Sequence, residues 1–104
     1  MGKLIVVYWR DIPAQVIAKQ GRTTAKVPLS QKFQEAVDRA AMRAGKGGSD
    51  AYLADWRRSA PTPCGPDLEA AARAEAERLE ASYTGVELER MVKAGGVKPD
   101  EGAA

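Results

Sequence analysis

Leu4 to Trp9 reads Leu-Ile-Val-Val-Tyr-Trp, six consecutive apolar or aromatic residues near the start of the chain. The run is too short to span a membrane and too unbroken for a strand with one wet face, so it predicts a strand covered on both faces or flanked on both edges. Asp11-Ile12-Pro13 interrupts the ladder, because proline lacks the N–H and fixes φ. Residues 14–20 then alternate with period two, Ala14, Val16 and Ala18 on one side and Gln15, Ile17 and Lys19 on the other, and predict a second strand. Gln20-Gly21-Arg22 supplies a tight turn, and residues 22–28 form a third β-prone run ended by Pro28. The three strands, about 3–10, 14–20 and 22–28, make an antiparallel meander. In a plain meander the second strand is central, yet here the first is the most hydrophobic, and an edge of that character invites aggregation. The first strand is therefore expected inside a sheet or at a dimer interface, with Thr23, Thr24 and Lys26 marking the third as the exposed edge.

Beyond Ser30, a good N-cap, the spacing changes to that of a helix. Phe33, Ala36, Val37, Ala40, Ala41 and Ala44 share one face over about 31–44, with Gly45 as terminator, and Phe33, Val37 and Ala41 are expected to pack across the sheet. Glu35 and Arg39 stand in the favoured i,i+4 order on the opposite face. Ser49 or Asp50 is positioned to cap a helix over about 50–59 that carries Tyr52, Leu53 and Trp56. Residues 60–66, with prolines at 61, 63 and 66, are expected to form neither helix nor strand. Asp67 caps a long helix, about 67–83, with Leu68, Ala72, Ala76, Leu79 and Tyr83 on one stripe, and a short helix over about 86–94 follows Gly85. The fold class is α+β, a small N-terminal meander covered by helices, organised as residues 1–60 and a C-terminal segment 61–104.

A chain of 104 residues holds one modest core without staples. There is no histidine, and one cysteine, Cys64, which excludes an intramolecular disulfide and removes the commonest metal ligand and general base. Gly45-Lys46-Gly47-Gly48 reads as a helix C-cap followed by a flexible turn and lacks the spacing of a phosphate-binding loop, no serine sits in a nucleophile elbow, and the glycines never form a dinucleotide fingerprint. The expectation is a chain without catalytic residues, cofactor or metal. Lys3 precedes the apolar run, but six residues fall short of a secretory segment of roughly seven to fifteen. A cytoplasmic protein that does not enter a membrane is expected.

Charge divides the chain: residues 1–60 hold eleven Lys and Arg against five Asp and Glu, and residues 61–104 hold five against nine. Two short clusters combine aromatic and charged residues, Trp9-Arg10-Asp11 and Trp56-Arg57-Arg58. Trp and Arg are enriched at interface hot spots, so all six are candidate partner-binding residues, for a protein partner or a second copy. The alternative is a nucleic acid held by the basic half through Lys19, Arg22, Lys26, Arg57 and Arg58.

Two stretches also look familiar: Val7-Tyr8-Trp9-Arg10-Asp11-Ile12-Pro13-Ala14-Gln15-Val16-Ile17, and Asp38-Arg39-Ala40-Ala41-Met42-Arg43-Ala44-Gly45 continuing to Asp50-Ala51-Tyr52-Leu53-Ala54-Asp55-Trp56-Arg57-Arg58. Together, over about residues 3–60, they resemble the small bacterial domain family known as virulence factor, related to the conserved virulence factor C proteins. The resemblance brings no catalytic motif. It implies docking, since larger relatives join such a domain to a NifU-like scaffold segment and HEAT-like helices, and for the stand-alone form it implies an accessory role in corrinoid and folate one-carbon methyl transfer. A single cysteine cannot hold an iron–sulfur cluster, so that part of the larger relatives does not carry over.

Overall fold

A computed structural model describes residues 2–45 and 49–97; the link residues 46–48 and the side chains of Ser49 and Asp50, expected as a turn and as caps, lie outside the description. Its elements run β1 (Gly2–Trp9), β2 (Ile12–Gln20), β3 (Thr23–Pro28), α1 (Gln31–Arg43), α2 (Ser49–Ala54), β4 (Trp56–Arg58), β5 (Thr62–Cys64), α3 (Leu68–Ser82) and α4 (Gly85–Lys93). The strands form one antiparallel sheet in the order β3-β2-β1-β4, with β5 also paired to β1. The fold is α+β, as the alternation of period-two and period-3.6 segments predicts.

β1 is internal, which is what its unbroken apolar run requires. On one edge it pairs with β2 from Lys3↔Lys19 to Trp9↔Ile12. Its other edge is shared by two short strands, β4 opposite Val7–Trp9 and β5 opposite Gly2–Leu4. Ser59 bridges the gap between them: the Val6 N–H donates to Ser59 Oγ (2.9 Å) and the Ser59 N–H donates to the Val6 carbonyl (2.9 Å). Every backbone group along the middle of β1 is therefore satisfied although no long strand lies on that side.

Both short strands depart from the sequence reading. Residues 56–58 were expected within a helix and are extended, because the unpaired edge of β1 offers them a ladder that a helix continuing past Asp55 would forgo. Residues 62–64 were expected to be irregular, yet they pair with β1; Pro63 is tolerated because β5 is an edge strand.

In β2 the register shifts between Val7↔Gln15 and Tyr8↔Pro13, which leaves Ala14 as the extra residue of a bulge. That is where a proline can enter the strand, and the Ala14 carbonyl accepts instead from the Leu29 N–H (3.0 Å) and from Gln34 Nε2 (2.8 Å). The bulge thus ties the sheet to the start of α1.

Register assigns the faces. Leu4, Val6, Val16, Ala18, Ala25 and Val27 point to one side, where they share a core with Leu68, Ala72, Ala76 and Leu79 of α3. Small residues at 72 and 76 let α3 lie close on β2 and β3, and the Asp67 carboxylate caps it through the Ala70 N–H (3.1 Å). α1 buries the face read from its sequence, Phe33, Ala36, Val37, Ala40 and Ala41, and ends at Gly45 with φ +71°. The expectation that it crosses the sheet needs correction: α1 packs chiefly on Leu88, Met91 and Val92 of α4 and only brushes β2, while α3 covers the sheet. Ser30 holds the N-cap position of α1, but its side chain makes no capping hydrogen bond; its N–H and hydroxyl donate instead to the Glu80 carboxylate (2.6 and 2.8 Å), so it joins two helices. Arg39 likewise forms a bidentate pair with Glu89 of α4 (2.9 and 3.0 Å) rather than with Glu35, and Glu89 is held below the usual carboxylate range by that hydrogen bond.

The two segments 1–60 and 61–104 contribute to one sheet and one core. Val6, 5 % exposed, sits at its centre on β1. Val6→Asp places an unpaired charge there at a cost of several kcal/mol, against a total stability of about 5–15 kcal/mol for a domain of this kind. The variant is expected to lose native far-UV circular dichroism at ambient temperature; a melting transition coincident with wild type would count against β1 as the organising strand.

Candidate functional site

The turn from β1 into β2 folds around Trp9, Arg10 and Asp11. Trp9 is fully buried. Its indole Nε1–H donates to the Tyr52 carbonyl (2.9 Å), and its ring stacks on Tyr52 at 5.9 Å, which in turn meets Trp56 edge-on at 5.7 Å. Trp9 is therefore an internal anchor for α2 and is closed to a partner, although the sequence placed it among the candidate contacts. Trp56, half-buried, belongs to the same aromatic stack.

Arg10 adopts φ +54°, unusual for a residue with a side chain. The surrounding contacts over-determine it. Its N–H donates to the Asp55 carbonyl (3.0 Å), its Nε to the Asp55 carboxylate (3.1 Å) and its Nη1 to the Gly95 carbonyl (2.9 Å). The Asp11 N–H donates to the Gly96 carbonyl (2.9 Å). One tight turn thus holds the end of α2 and the end of α4 at once, residues about 45 and 85 positions away. Gly95 and Gly96 both have positive φ (+76° and +98°), and a Cβ on Gly96 would lie 2.6 Å from Trp9 Cζ3.

Arg57, on β4 beside this turn, is where the corner reaches solvent. Its Nε donates to the Arg10 carbonyl (2.8 Å) and its Nη2 pairs with Asp11 (3.1 Å), while the guanidinium lies 4.6 Å over the Tyr8 ring. The Arg57 side chain remains 52 % exposed and that of Asp11 34 %. Two adjoining hollows of about 320 and 340 Å³ share Tyr8 and Tyr83 in their walls, the first bounded by Asp11, Arg57 and Ser59, the second by Arg78, Ser82 and Glu87. They form one shallow groove between β1 and the end of α3. Tyr83 is half-buried, edge-on to Phe33 at 5.8 Å, and burial pushes its phenol above the usual tyrosine range, with the Asp11 carboxylate adding to the shift.

The six sequence candidates thus separate. Trp9 and Arg10 hold the corner together, Asp11 and Arg57 present it to solvent, Trp56 braces α2, and Arg58, exposed, points to the opposite face of the sheet. Tyr8 and Tyr83, which complete the groove, were not candidates. Tyr83 was read only as the end of the α3 stripe, and its approach to Tyr8 across 75 positions has no local signal. A roomier hollow of about 490 Å³ between the β2–β3 hairpin and the start of α3 has Gln20, Thr23, Asp67 and Glu69 in its wall and no cationic residue among those lining it. Among the described residues no cluster of three histidine, cysteine, aspartate or glutamate side chains could hold a metal ion, and no helix is long and apolar enough to cross a membrane. Cys64 is half-buried at the rim of the core.

The closed corner makes a quantitative prediction. Gly96→Ala meets both the Trp9 ring and an unfavourable φ, and is expected to cost about 1–3 kcal/mol in urea denaturation. Gly21→Ala, with a positive φ and nothing within 4 Å, is expected to cost about 1 kcal/mol. Equal losses for the two variants would mean that Trp9 does not seat against Gly96.

A family model described as Virulence factor matches residues 7–92, from the second half of β1 to the end of α4, and so takes in the corner, the groove and the C-terminal helices as well as the stretch whose resemblance was read from sequence. No curated protein and no solved structure matches the chain.

Proposed function

We propose, from the premise that this chain belongs to the Virulence factor family, that it is a non-enzymatic accessory domain which binds a protein partner at the Tyr8–Tyr83 groove. The observation that carries the reading is the Arg57 guanidinium, stacked on Tyr8 and tethered by Asp11 while half its side chain faces solvent. Arginine and tyrosine dominate interface hot spots, and a side chain already fixed in position loses little entropy when a partner arrives. Tyr83 adds a second half-buried ring, and the mixed charges Asp11, Arg57, Arg78 and Glu87 give the rim a pattern that selects among partners. The groove's two carboxylates, Asp11 and Glu87, stand in open hollows that also hold Arg57 and Arg78 rather than together in an enclosed pocket, which favours recognition over acid–base chemistry.

The first partner class to test is the one the family resemblance implies, a corrinoid protein of one-carbon methyl transfer. Tagged wild type and a Tyr83→Ala/Arg57→Glu variant are compared by quantitative mass spectrometry of proteins copurified from the native host, with Arg73→Glu on the outer face of α3 as control. The double variant is expected to lose at least tenfold of a specific prey that the control retains, with both variants folded by circular dichroism. Unchanged prey abundance in the double variant would reject the groove as the docking site, and a corrinoid protein absent from all the prey sets would reject that partner class.

A further inference from the structure

The face of the sheet turned away from α3 carries a different surface. Cross-strand register places Lys3, Ile5, Val7, Gln15, Ile17, Lys19, Lys26 and Arg58 on that side, through the pairs Lys3↔Lys19, Ile5↔Ile17, Val7↔Gln15, Ile17↔Lys26 and Val7↔Arg58. Ile5, Val7 and Ile17 are buried at its centre yet do not belong to the main core cluster. Lys3, Lys19, Lys26 and Arg58 are exposed around them. No strand residue on this face is acidic, and among the described residues none of the four cations has an ion-pair partner. Elsewhere five arginines are paired with a carboxylate: Arg10 with Asp55, Arg39 with Glu89, Arg57 with Asp11, Arg73 with Glu69 and Arg78 with Glu75.

We propose that this face binds the phosphodiester backbone of single-stranded nucleic acid, independently of the groove. The charge complementarity calls for a polyanion. A protein surface is the poorer fit, because interfaces depend on apolar or aromatic anchors and none of the exposed large apolar residues, Met42, Leu53, Val86 and Val97, belongs to the strands that form this face. Phosphate contacts need cations alone. A second copy of the same face is repelled by its own charge. The cations span three strand spacings in one direction and four residues in the other, about 14 by 13 Å. A flexible single strand can follow cations scattered over a patch of that size, whereas duplex phosphates are fixed on a cylinder and meet a sheet face along one ridge. Half-buried Trp56, on the same face two positions before Arg58, is the aromatic ring nearest in register to which a base can stack. The cations on this face suit phosphates rather than base edges, so binding depends little on base sequence. Of the cations proposed from sequence, Lys19, Lys26 and Arg58 fall here and Lys3 joins them, while Arg57 is engaged by Asp11 on the other face and Arg22 sits in the hairpin turn.

The test is fluorescence anisotropy of the full chain with a labelled oligouridylate across a salt series. Four phosphate contacts predict a slope of log K against log salt of about −3, and Lys19→Gln/Lys26→Gln a slope shallower by roughly 1.4. Replacing all four cations by glutamine is expected to remove binding at low salt. The matched control, Arg73→Gln/Arg90→Gln, takes away the same charge from α3 and α4 and is expected to leave binding unchanged. All six positions are exposed, so the variants keep wild-type circular dichroism. The proposal is overturned by absence of binding at low salt, by equal weakening in the two double variants, by a duplex of the same length binding as tightly, or by polyglutamate of equal charge competing as well as the oligonucleotide.

Discussion

A strand as apolar as β1 has to be hydrogen-bonded on both edges and covered on both faces, or it becomes a template for aggregation. The chain meets this with only one long neighbour, β2. The second edge is assembled from β4, Ser59 and β5, three short pieces that lie more than 45 residues downstream. None of them has enough length to be a stable strand by itself. They are strands because β1 is there, and β1 is shielded because they are.

That arrangement explains why so many long-range polar contacts gather at the β1–β2 turn. Arg10 and Asp11 receive α2 through Asp55, α4 through Gly95 and Gly96, and β4 through Arg57. Trp9 fills the space beneath them, and Gly96 is a glycine because the indole leaves no room for a Cβ. The left-handed backbone at Arg10 is a cost of roughly 1 kcal/mol that these contacts offset. The same turn brings Arg57 over Tyr8, so the scaffold that secures the strand also presents the exposed half of the groove.

Much of this was legible in the residues. The apolar run demanded an internal position, the α1 and α3 stripes matched their buried faces, and Asp67 and Gly45 marked helix ends where the backbone has them. The rest depends on distance in sequence. A three-residue strand has no periodicity to read, so 56–58 followed the helical spacing of Tyr52 and Trp56, and Pro63 concealed a strand that tolerates proline at an edge. Arg39 had two carboxylates to choose from and sequence shows only Glu35; Glu89 lies 50 positions on. For the groove, aromatic and arginine content singled out Asp11 and Arg57, but it also singled out Trp9, whose size fits a core as well as an interface. The adjacent glycines at 95 and 96 were the one local sign that something bulky approaches there.

Residue-resolved hydrogen exchange of the β1 amides tests the central claim most directly. The Val6 N–H is bonded to Ser59 Oγ, and by strand alternation the N–H groups of Leu4 and Tyr8 point to the same side, toward β5 and β4. If the composite edge is part of the cooperative core, these amides exchange only by global opening and are as protected as those of Ile5 and Val7, which face β2. Fast exchange at Leu4, Val6 and Tyr8 with Ile5 and Val7 still protected would contradict the account, because it would leave the most apolar strand of the protein with an open edge.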